Sequence, residues 1–467
     1  MPLRKVVPKR KATATSSKRA TTSSVPSPYA DPSKVVAFAL KSGADEAQVE
    51  IHEGVVTQVR FAGNEVTVSN SRAGRSASIF LNHKKRLVSA DVDDLSSIPP
   101  VIEELIALAK ATQPNQEYVG LAKVKAKYRK SSPSADLKGA ADKLVDIAGK
   151  AIDAALGQGA NRVAGTVQLD LGKVRLATSS GVDASASAGT IDLSMRAFSD
   201  ELATGHAVSV ATSLKALDPV GAGKRAGALA ARCKKLPRKD VDAGKHDVVF
   251  DRLAYADFVA FAGGSTSAFD VDAGFSPFKD KLGTKVASPA FNLEDDGTRD
   301  DGLGSVPFDD EGVPTRKTQL FKNGVLEHLL HNTTTSHRHK TETTGNAGLI
   351  SPDPWNLVVA PGRGDHEALW REMGRGLFVT NVWYTRFADY VAGDFSTIPR
   401  DAILVIEGGE PVAATTGLRV TDNLLGILAR TETLGGDTQQ IRWWEVRTPT
   451  FTPSALVRQV NITKSTK

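Results

Sequence analysis

The sequence predicts an α+β protein: an N-terminal antiparallel meander covered by helices, followed by a C-terminal β-rich domain with short helices. Three observations carry that prediction. Period-two runs of apolar residues between 47 and 90 are punctuated by glycine and asparagine turn signals. Helical spacing recurs at 101–109 and 140–156, on helices that would cover one face of the meander. Beyond the basic run 232–239, interrupted by Pro237, Gly-rich turns alternate with short strands almost to the end, which makes that run the predicted domain boundary. The expected units are a basic disordered tail over 1–28, an α+β domain over 29–240 and a β-rich domain over 241–467.

The elements follow in order. Asp31-Pro32 supplies an N-cap and a first-turn proline, and apolar residues at 35–40 lead to Gly43 as the stop of a short helix. Runs at 47–51, 55–61, 65–68, 76–81 and 86–90 are separated by Gly54, Gly63-Asn64, Gly74 and Asn82-His83, which are expected to turn the chain. Val101, Leu105 and Leu108 define one helix; Leu144, Ile147 and Ile152 define another. Strands are expected at 166–177, 190–196 and 207–212, then an alanine-rich helix near 223–235. In the C-terminal half, a strand at 246–250 precedes a helix at 253–261. Two hairpins turn at Asn323-Gly324 (315–320 with 325–330) and Gly408-Gly409 (402–406 with 411–414). A late helix is expected from an N-cap at Thr421 or Asp422 to Gly435-Gly436. No repeat of 20–50 residues is found, which argues against a solenoid or propeller.

Composition narrows the function. The 467 residues carry 59 Lys+Arg against 53 Asp+Glu, but seven of the basic residues lie in 1–28; removing them leaves 52 against 53. The positive charge therefore describes a tail, and contact of that tail with nucleic acid is not the expected role. No apolar run approaches the roughly 20 residues of a membrane-spanning helix. The single cysteine, Cys233, closes no intramolecular disulfide, which fits a cytoplasmic location.

Several chemistries fail at the level of motif. A helical zinc-protease site needs two histidines one turn apart with an adjacent glutamate. His52-Glu53 is followed at that spacing by Val56 and Thr57, and His366-Glu367 by Trp370 and Arg371. His328, His331, His337 and His339 are concentrated in one stretch, where His337 and His339 would share a strand face, but no fixed acidic partner is evident. The phosphate-loop-like 221–224 lacks its first glycine and has Arg225 where Ser or Thr is required. No Gly-x-Ser-x-Gly elbow occurs. Cys233, between Arg232 and Lys234, is expected to be inert.

The C-terminal half contains GLGSVPFDDEGVPTRKTQLFKNGVLEHLL at 302–330, TTGNAG at 343–348, NLVVAPG at 356–362, GLFVT and AGDFS within 376–396, GGEPV at 408–412 and TDNLLGILAR at 421–430. In that order and spacing it resembles the TldD/PmbA family of zinc-metallopeptidase-related proteins. The resemblance implies two kinds of subunit. The catalytic kind carries His-Glu-x-x-x-His on a helix soon after the first strand of the C-terminal domain, with a later cysteine. Here the corresponding helix, 251–261, has no histidine, and no cysteine follows Cys233. The chain therefore resembles the PmbA/TldE kind: no catalytic residue and no metal of its own, with zinc in a TldD-like partner. A heterodimer with that partner, or a homodimer, would act on peptide substrate.

The candidates to face peptide or partner are Asp309, Asp310, Glu311, Gly312, Thr315, Gly345, Asn346, Trp383, Gly393, Asp394 and Phe395. Acidic side chains in 309–311 can cap backbone amides, Gly312 permits positive φ, and the 315–320 edge could accept a peptide as an added strand. The same residues could equally serve only to set the hairpin, and Gly393–Ser396 only to end a strand. Trp383 opens a stretch, WYTRFADY, that departs from the smaller, glycine-containing segment of relatives. A self-sufficient hydrolase using the 328–339 histidines, and a peptide-binding or structural homodimer, remain as alternatives.

Overall fold

A computed structural model describes residues 28–464. Apart from Pro28, the predicted basic tail lies outside the described residues. The architecture is α+β, as the sequence predicts. Helix α1 (Pro32–Lys41) starts where expected: the Asp31 side chain accepts from Ser33 N at 3.2 Å and Pro32 occupies the first turn. A six-stranded, wholly antiparallel sheet follows, in the order β3-β2-β1-β4-β5-β6, from β1 (Glu46–Ala62), β2 (Glu65–His83), β3 (Arg86–Val92), β4 (Arg162–Thr178), β5 (Asp183–Phe198) and β6 (Thr204–Ala211).

Two predicted breaks are absent. Gly54 lies opposite Gly74 on one side and Gly172 on the other, so the four short runs merge into one long ribbon. Neither Gly54 nor Gly74 has positive φ; they continue the ladder instead of turning it. The true turns are two-residue loops with both φ values positive: Gly63-Asn64 as expected, and Lys84-Lys85, two residues after the expected Asn82-His83.

Helices α1 and α2 (Ile98–Ala111) cover one part of this sheet, sharing a core with Val49, Ile51, Ile79 and Leu81. Helices α3 (Leu144–Leu156) and α4 (Pro219–Lys235) cover another, around Phe61, Val163, Val167 and Leu193. The two helices approach closely because α4 offers glycine: a Cβ on Gly223 would stand 2.3 Å from the Ala151 carbonyl oxygen, and one on Gly227 2.4 Å from that of Ala155.

The C-terminal half holds two sheets. In the nine-stranded mixed sheet, β7 (Gly244–Phe250) is central, pairing antiparallel with Ala455–Lys464 and parallel with Arg375–Val379; Trp383–Asp389 forms one edge and Glu410–Thr415 the other. The six-stranded sheet runs Val325–Leu326, Lys317–Lys322, Leu293–Asp296, Leu357–Val359, Thr450–Thr452, Gln439–Ile441. Helix α5 (Arg252–Gly264) touches strands of both sheets and is buried along most of its length, with Tyr255, Asp257 and Phe258 inside.

Three local expectations are corrected. The late helix is only Leu424–Ala429, capped by Asn423, because Thr431–Leu434 pairs with Ala455–Lys464 as a strand. The second arm of the first hairpin shrinks from 325–330 to Val325–Leu326, although Asn323-Gly324 turns it as expected. His337 and His339 do not share a strand face: Thr333–Arg338 is a helix, closed by His339 and opened by an Asn332–Thr335 capping box.

Candidate functional site

Seven of the candidates converge where the 302–316 loop meets the first sheet. Asp309 is 1% exposed. One carboxylate oxygen accepts from Glu311 N (3.0 Å) and Val313 N (2.8 Å), the other from Ala347 N (2.9 Å). Burial, then the neighbouring Glu311, push its pKa up to about 8. Asp309 thus fastens the turn to 343–348. Gly312 has φ 79°, and a Cβ there would lie 2.6 Å from a Val182 methyl on the first sheet's side of the seam. Its carbonyl accepts from the Tyr128 hydroxyl at 2.6 Å. The Thr315 hydroxyl donates to the Gly297 and Val306 carbonyls. Gly345 (φ 71°) lies against the Pro314 carbonyl.

Asn346 donates to Asp295 at 2.6 Å and to the Asp353 carbonyl at 3.0 Å. Asp295 also accepts from Trp355 N and Asn356 N, and burial pushes its pKa up to about 7. The side chains of Asp309, Thr315 and Asn346 are interior, so they set the loop and do not present themselves at a surface. Asp310 and Glu311 face the seam. Burial and then Glu50 of β1 hold the Asp310 carboxyl well above its ordinary range; burial raises Glu311, which accepts from Thr333 N at 3.0 Å.

Sequence reasoning did not find Gln48, Glu50 and Tyr118, which complete this seam from the N-terminal side. A signal was present: Glu46, Gln48, Glu50 and His52 alternate with Ala47, Val49 and Ile51. The apolar set enters the core with α1 and α2, and the polar set faces the opposite way.

The predicted open strand edge is a correction. The strand is Lys317–Lys322, flanked by Leu293–Asp296 and Val325–Leu326. Beyond the hairpin, Glu327 N reaches the Leu320 carbonyl (2.9 Å) and the His328 ring the Gln319 carbonyl (2.8 Å), so the carbonyls a peptide would need there are taken.

The remaining four candidates lie on the nine-stranded sheet. Trp383 begins its edge strand, in an aromatic group with Tyr384, Trp443 and Trp444. Tyr384 is 40% and Trp444 50% exposed, and Arg400 lies over Trp383 and Tyr384 at 5.4 and 5.2 Å. Gly393 (φ 82°) makes the following turn, and Asp394 accepts from Asn423 at 2.8 Å. Phe395 is an interior residue: it is 2% exposed and packs on Phe258 and Phe387.

Donors for zinc were sought on α5 and among the histidines. On α5, Asp257 accepts the Thr385 hydroxyl at 2.5 Å; its other oxygen has no partner, and burial pushes its pKa up to about 8. A lone protonated acid with no histidine beside it does not fit zinc. The His339 ring is 2.8 Å from Asp272 and lies tilted against His331, ring centres 5.1 Å apart, whose pKa burial lowers to about 4. Among the described residues, no group of three or more His, Cys, Asp or Glu is placed to hold a metal ion. Cys233 is 2% exposed with its thiol pushed up to about 12 by burial, an inert setting.

Residues 243–464 match the family model described as the PmbA/TldA metallopeptidase C-terminal domain. The C-terminal half belongs to the PmbA/TldD family. A metalloprotease of Methanocaldococcus jannaschii is 32% identical over 208 residues, covering 43% of this chain and 46% of that protein. The metalloprotease PmbA of Escherichia coli O157:H7 is 29% identical over 159 residues, 34% of each chain. The chain thus spans half or less of the length of these PmbA/TldD relatives in sequence. In fold the likeness is wider: TldE from Thermococcus kodakarensis (23% identity) and a gyrase-modulator candidate from Thermotoga maritima (25%) each superpose with a TM-score of 0.79 over 92% of this chain and 99% of theirs. Among the described residues no helix is long and apolar enough to cross a membrane.

Proposed function

We propose that this chain is a non-catalytic, PmbA/TldE-like subunit of a two-component zinc metallopeptidase that degrades or trims peptides in the cytoplasm. The observation that carries this reading is α5. It stands directly after the first strand of the C-terminal half, where the resemblance calls for the metal-binding helix, yet its inward face is Ala254, Tyr255, Phe258 and a hydrogen-bonded Asp257. Zinc belongs, on this reading, to a TldD-like partner, and this chain binds no cofactor.

The exposed aromatic edge at Trp383, Tyr384 and Trp444 supports the association. Aromatic and arginine side chains are the residues that anchor protein interfaces, and here Arg400 and Arg386 already lie over the rings. A stable interface of this kind buries upward of roughly 2,000 Å². Where no partner is present, the same surface favours a homodimer. The test is co-expression with a His-Glu-x-x-x-His relative, size-exclusion chromatography and peptide cleavage with and without this chain. Co-elution and a gain in cleavage are expected; separate elution with unchanged cleavage would leave a structural homodimer.

A further inference from the structure

An open hollow of about 350 Å³, at the small end of the range of ligand sites, lies at the C-terminal end of α5. Its lining holds four aromatic residues, Phe261, Phe275, Phe387 and Tyr390, and a single charged one, Asp270. Local backbone geometry brings them there. Helix Ala268–Ala273 closes at Gly274 (φ 75°), and Phe275 N returns to the Asp270 carbonyl at 2.8 Å, so that ring and acid flank one turn. From the edge strand Trp383–Asp389, Asp389 accepts from Val391 N (2.8 Å) and Ala392 N (2.9 Å), fixing the turn that carries Tyr390. The Tyr390 ring stacks on Phe387, centres 5.2 Å apart, and Phe387 leans on Phe261 at 4.8 Å. Phe275 and Tyr390 are 64% and 57% exposed, so their rings are open to an occupant.

Three features of the hollow attract a cation. Aromatic faces carry negative potential. The last turn of α5 contributes Phe261 and Gly264, and this helix end, negative in its dipole, has no basic residue. Among the described residues no cation pairs with the Asp270 carboxylate: burial is what raises it above its ordinary range, and Asp353, raised first by burial, is raised further by the Asp270 charge. The chain does not supply the missing cation. The lining has no Lys, Arg or His, and Arg338, which reaches Asp272 two residues on, is already shared with Glu117. One carboxylate is too few ligands for a metal ion. A guanidinium suits the site better than an ammonium, because it is planar, weakly hydrated, stacks on rings and meets a carboxylate with two parallel N–H groups.

We infer that this hollow is a binding site for a guanidinium cation, which lies against the exposed Phe275 and Tyr390 rings and donates to Asp270. An arginine side chain of a peptide and a free guanidino compound carry the same chemistry. The site needs no partner subunit and no metal, so it goes beyond the peptidase-subunit reading without resting on it.

Ligand-observed NMR on the full chain alone tests it, with ethylguanidinium, N-acetyl-L-argininamide and the uncharged N-acetyl-L-citrullinamide as probes. Saturable one-to-one binding of both cations is expected, with the citrulline analogue about tenfold weaker or more because it brings no charge to Asp270. Equal affinity of the two cations points to a free guanidino compound as the ligand; a severalfold tighter argininamide points to a peptide-borne arginine. Asp270→Asn should weaken argininamide about tenfold or more and Phe275→Ala about two- to fivefold, the worth of a charged hydrogen bond and of one exposed cation–π contact. Neither should lower the melting temperature, since the Asp270 carboxylate has no cation to lose and Phe275 is exposed. Should Asp270→Asn fail to fold, Phe275→Ala and the citrulline comparison still decide. Absence of saturable binding by the unaltered chain would overturn the proposal. So would equal binding of the citrulline analogue, which would mark the hollow as an apolar patch only, or undiminished binding by the Asp270→Asn chain. Co-elution and cleavage with a partner read the subunit function separately, so either can fail alone.

Discussion

Interior carboxyls dominate the chemistry at the scale of single residues. Asp257 and Asp309 hold their protons to about pH 8 in the folded chain, whereas the unfolded chain releases them near the ordinary aspartate value of 3.8. Between these limits the unfolded state binds fewer protons, so this contribution to stability is complete below about pH 4 and is lost as pH rises towards 8. His206 works oppositely: burial lowers it from 6.5 to about 4, so its contribution falls as pH drops through that window. Asp257→Asn keeps an acceptor for Thr385 and removes one titrating group; its melting temperature should decline less between pH 6 and 8 than that of the unaltered chain. An unchanged slope would mean that Asp257 is ionised in the fold. Asp309→Ala strands three backbone N–H groups and should cost about 3 kcal/mol or more in denaturant unfolding. The amide-capping role of the acidic turn was legible in the sequence, because short acidic side chains just ahead of a turn glycine can reach the local backbone N–H groups, as Asp309 does. That Asp310 meets Glu50 was not, since nothing local links a loop to a strand so far away in the chain.

At the scale of elements, caps and turns with a proline, or with a glycine at the turn itself, were legible, whereas the Lys84-Lys85 turn, the Asn423 cap and glycine in mid-strand were not. Asp31-Pro32, Asn323-Gly324 and Gly408-Gly409 each act through backbone geometry that the residue itself dictates. Gly54 and Gly74 carry the same letter but sit opposite one another in a ladder whose partner strand, β4, lies far along the chain. Likewise Thr431–Leu434 leaves the predicted helix because Ala455–Lys464 offers it a strand to pair with. Glycines that look alike therefore respond differently to a side chain. Gly74 has nothing within 4 Å of a built Cβ, so Gly74→Val should leave stability unchanged or raise it, valine being the better strand former. Gly227→Val meets the Ala155 carbonyl oxygen and should destabilise by about 1–3 kcal/mol as α3 and α4 are forced apart. Thermal unfolding of the two variants measures the contrast.

For the whole molecule, the run 232–239 lies between the first sheet, whose last strand ends at Ala211, and the two C-terminal sheets, yet the two halves are tied across it. Leu229 and Cys233 of α4 pack with Val249, Trp370, Phe378, Leu404 and Leu456, closing one side of the nine-stranded sheet. Arg129 donates to the carbonyls of Gly297, Thr298 and Val306, Arg225 pairs with Asp251, and Arg442 with Asp192. Arg196 reaches Asp401 at 2.7 Å, and Asp401, with a fully buried side chain, also accepts from Asn381 at 2.6 Å. Burial acts to raise Asp401, but Arg196 and His206 hold it below its ordinary value, so it is charged and depends on its partner. Removing one member of a buried pair leaves the other uncompensated, and Arg196→Ala should cost about 3–5 kcal/mol. Because that pair joins β5 to the C-terminal half, scanning calorimetry should show one unfolding transition, shifted down as a unit in the variant. Two transitions, with only one of them moved, would mean that the halves fold independently and that the seam is a loose contact between separate domains.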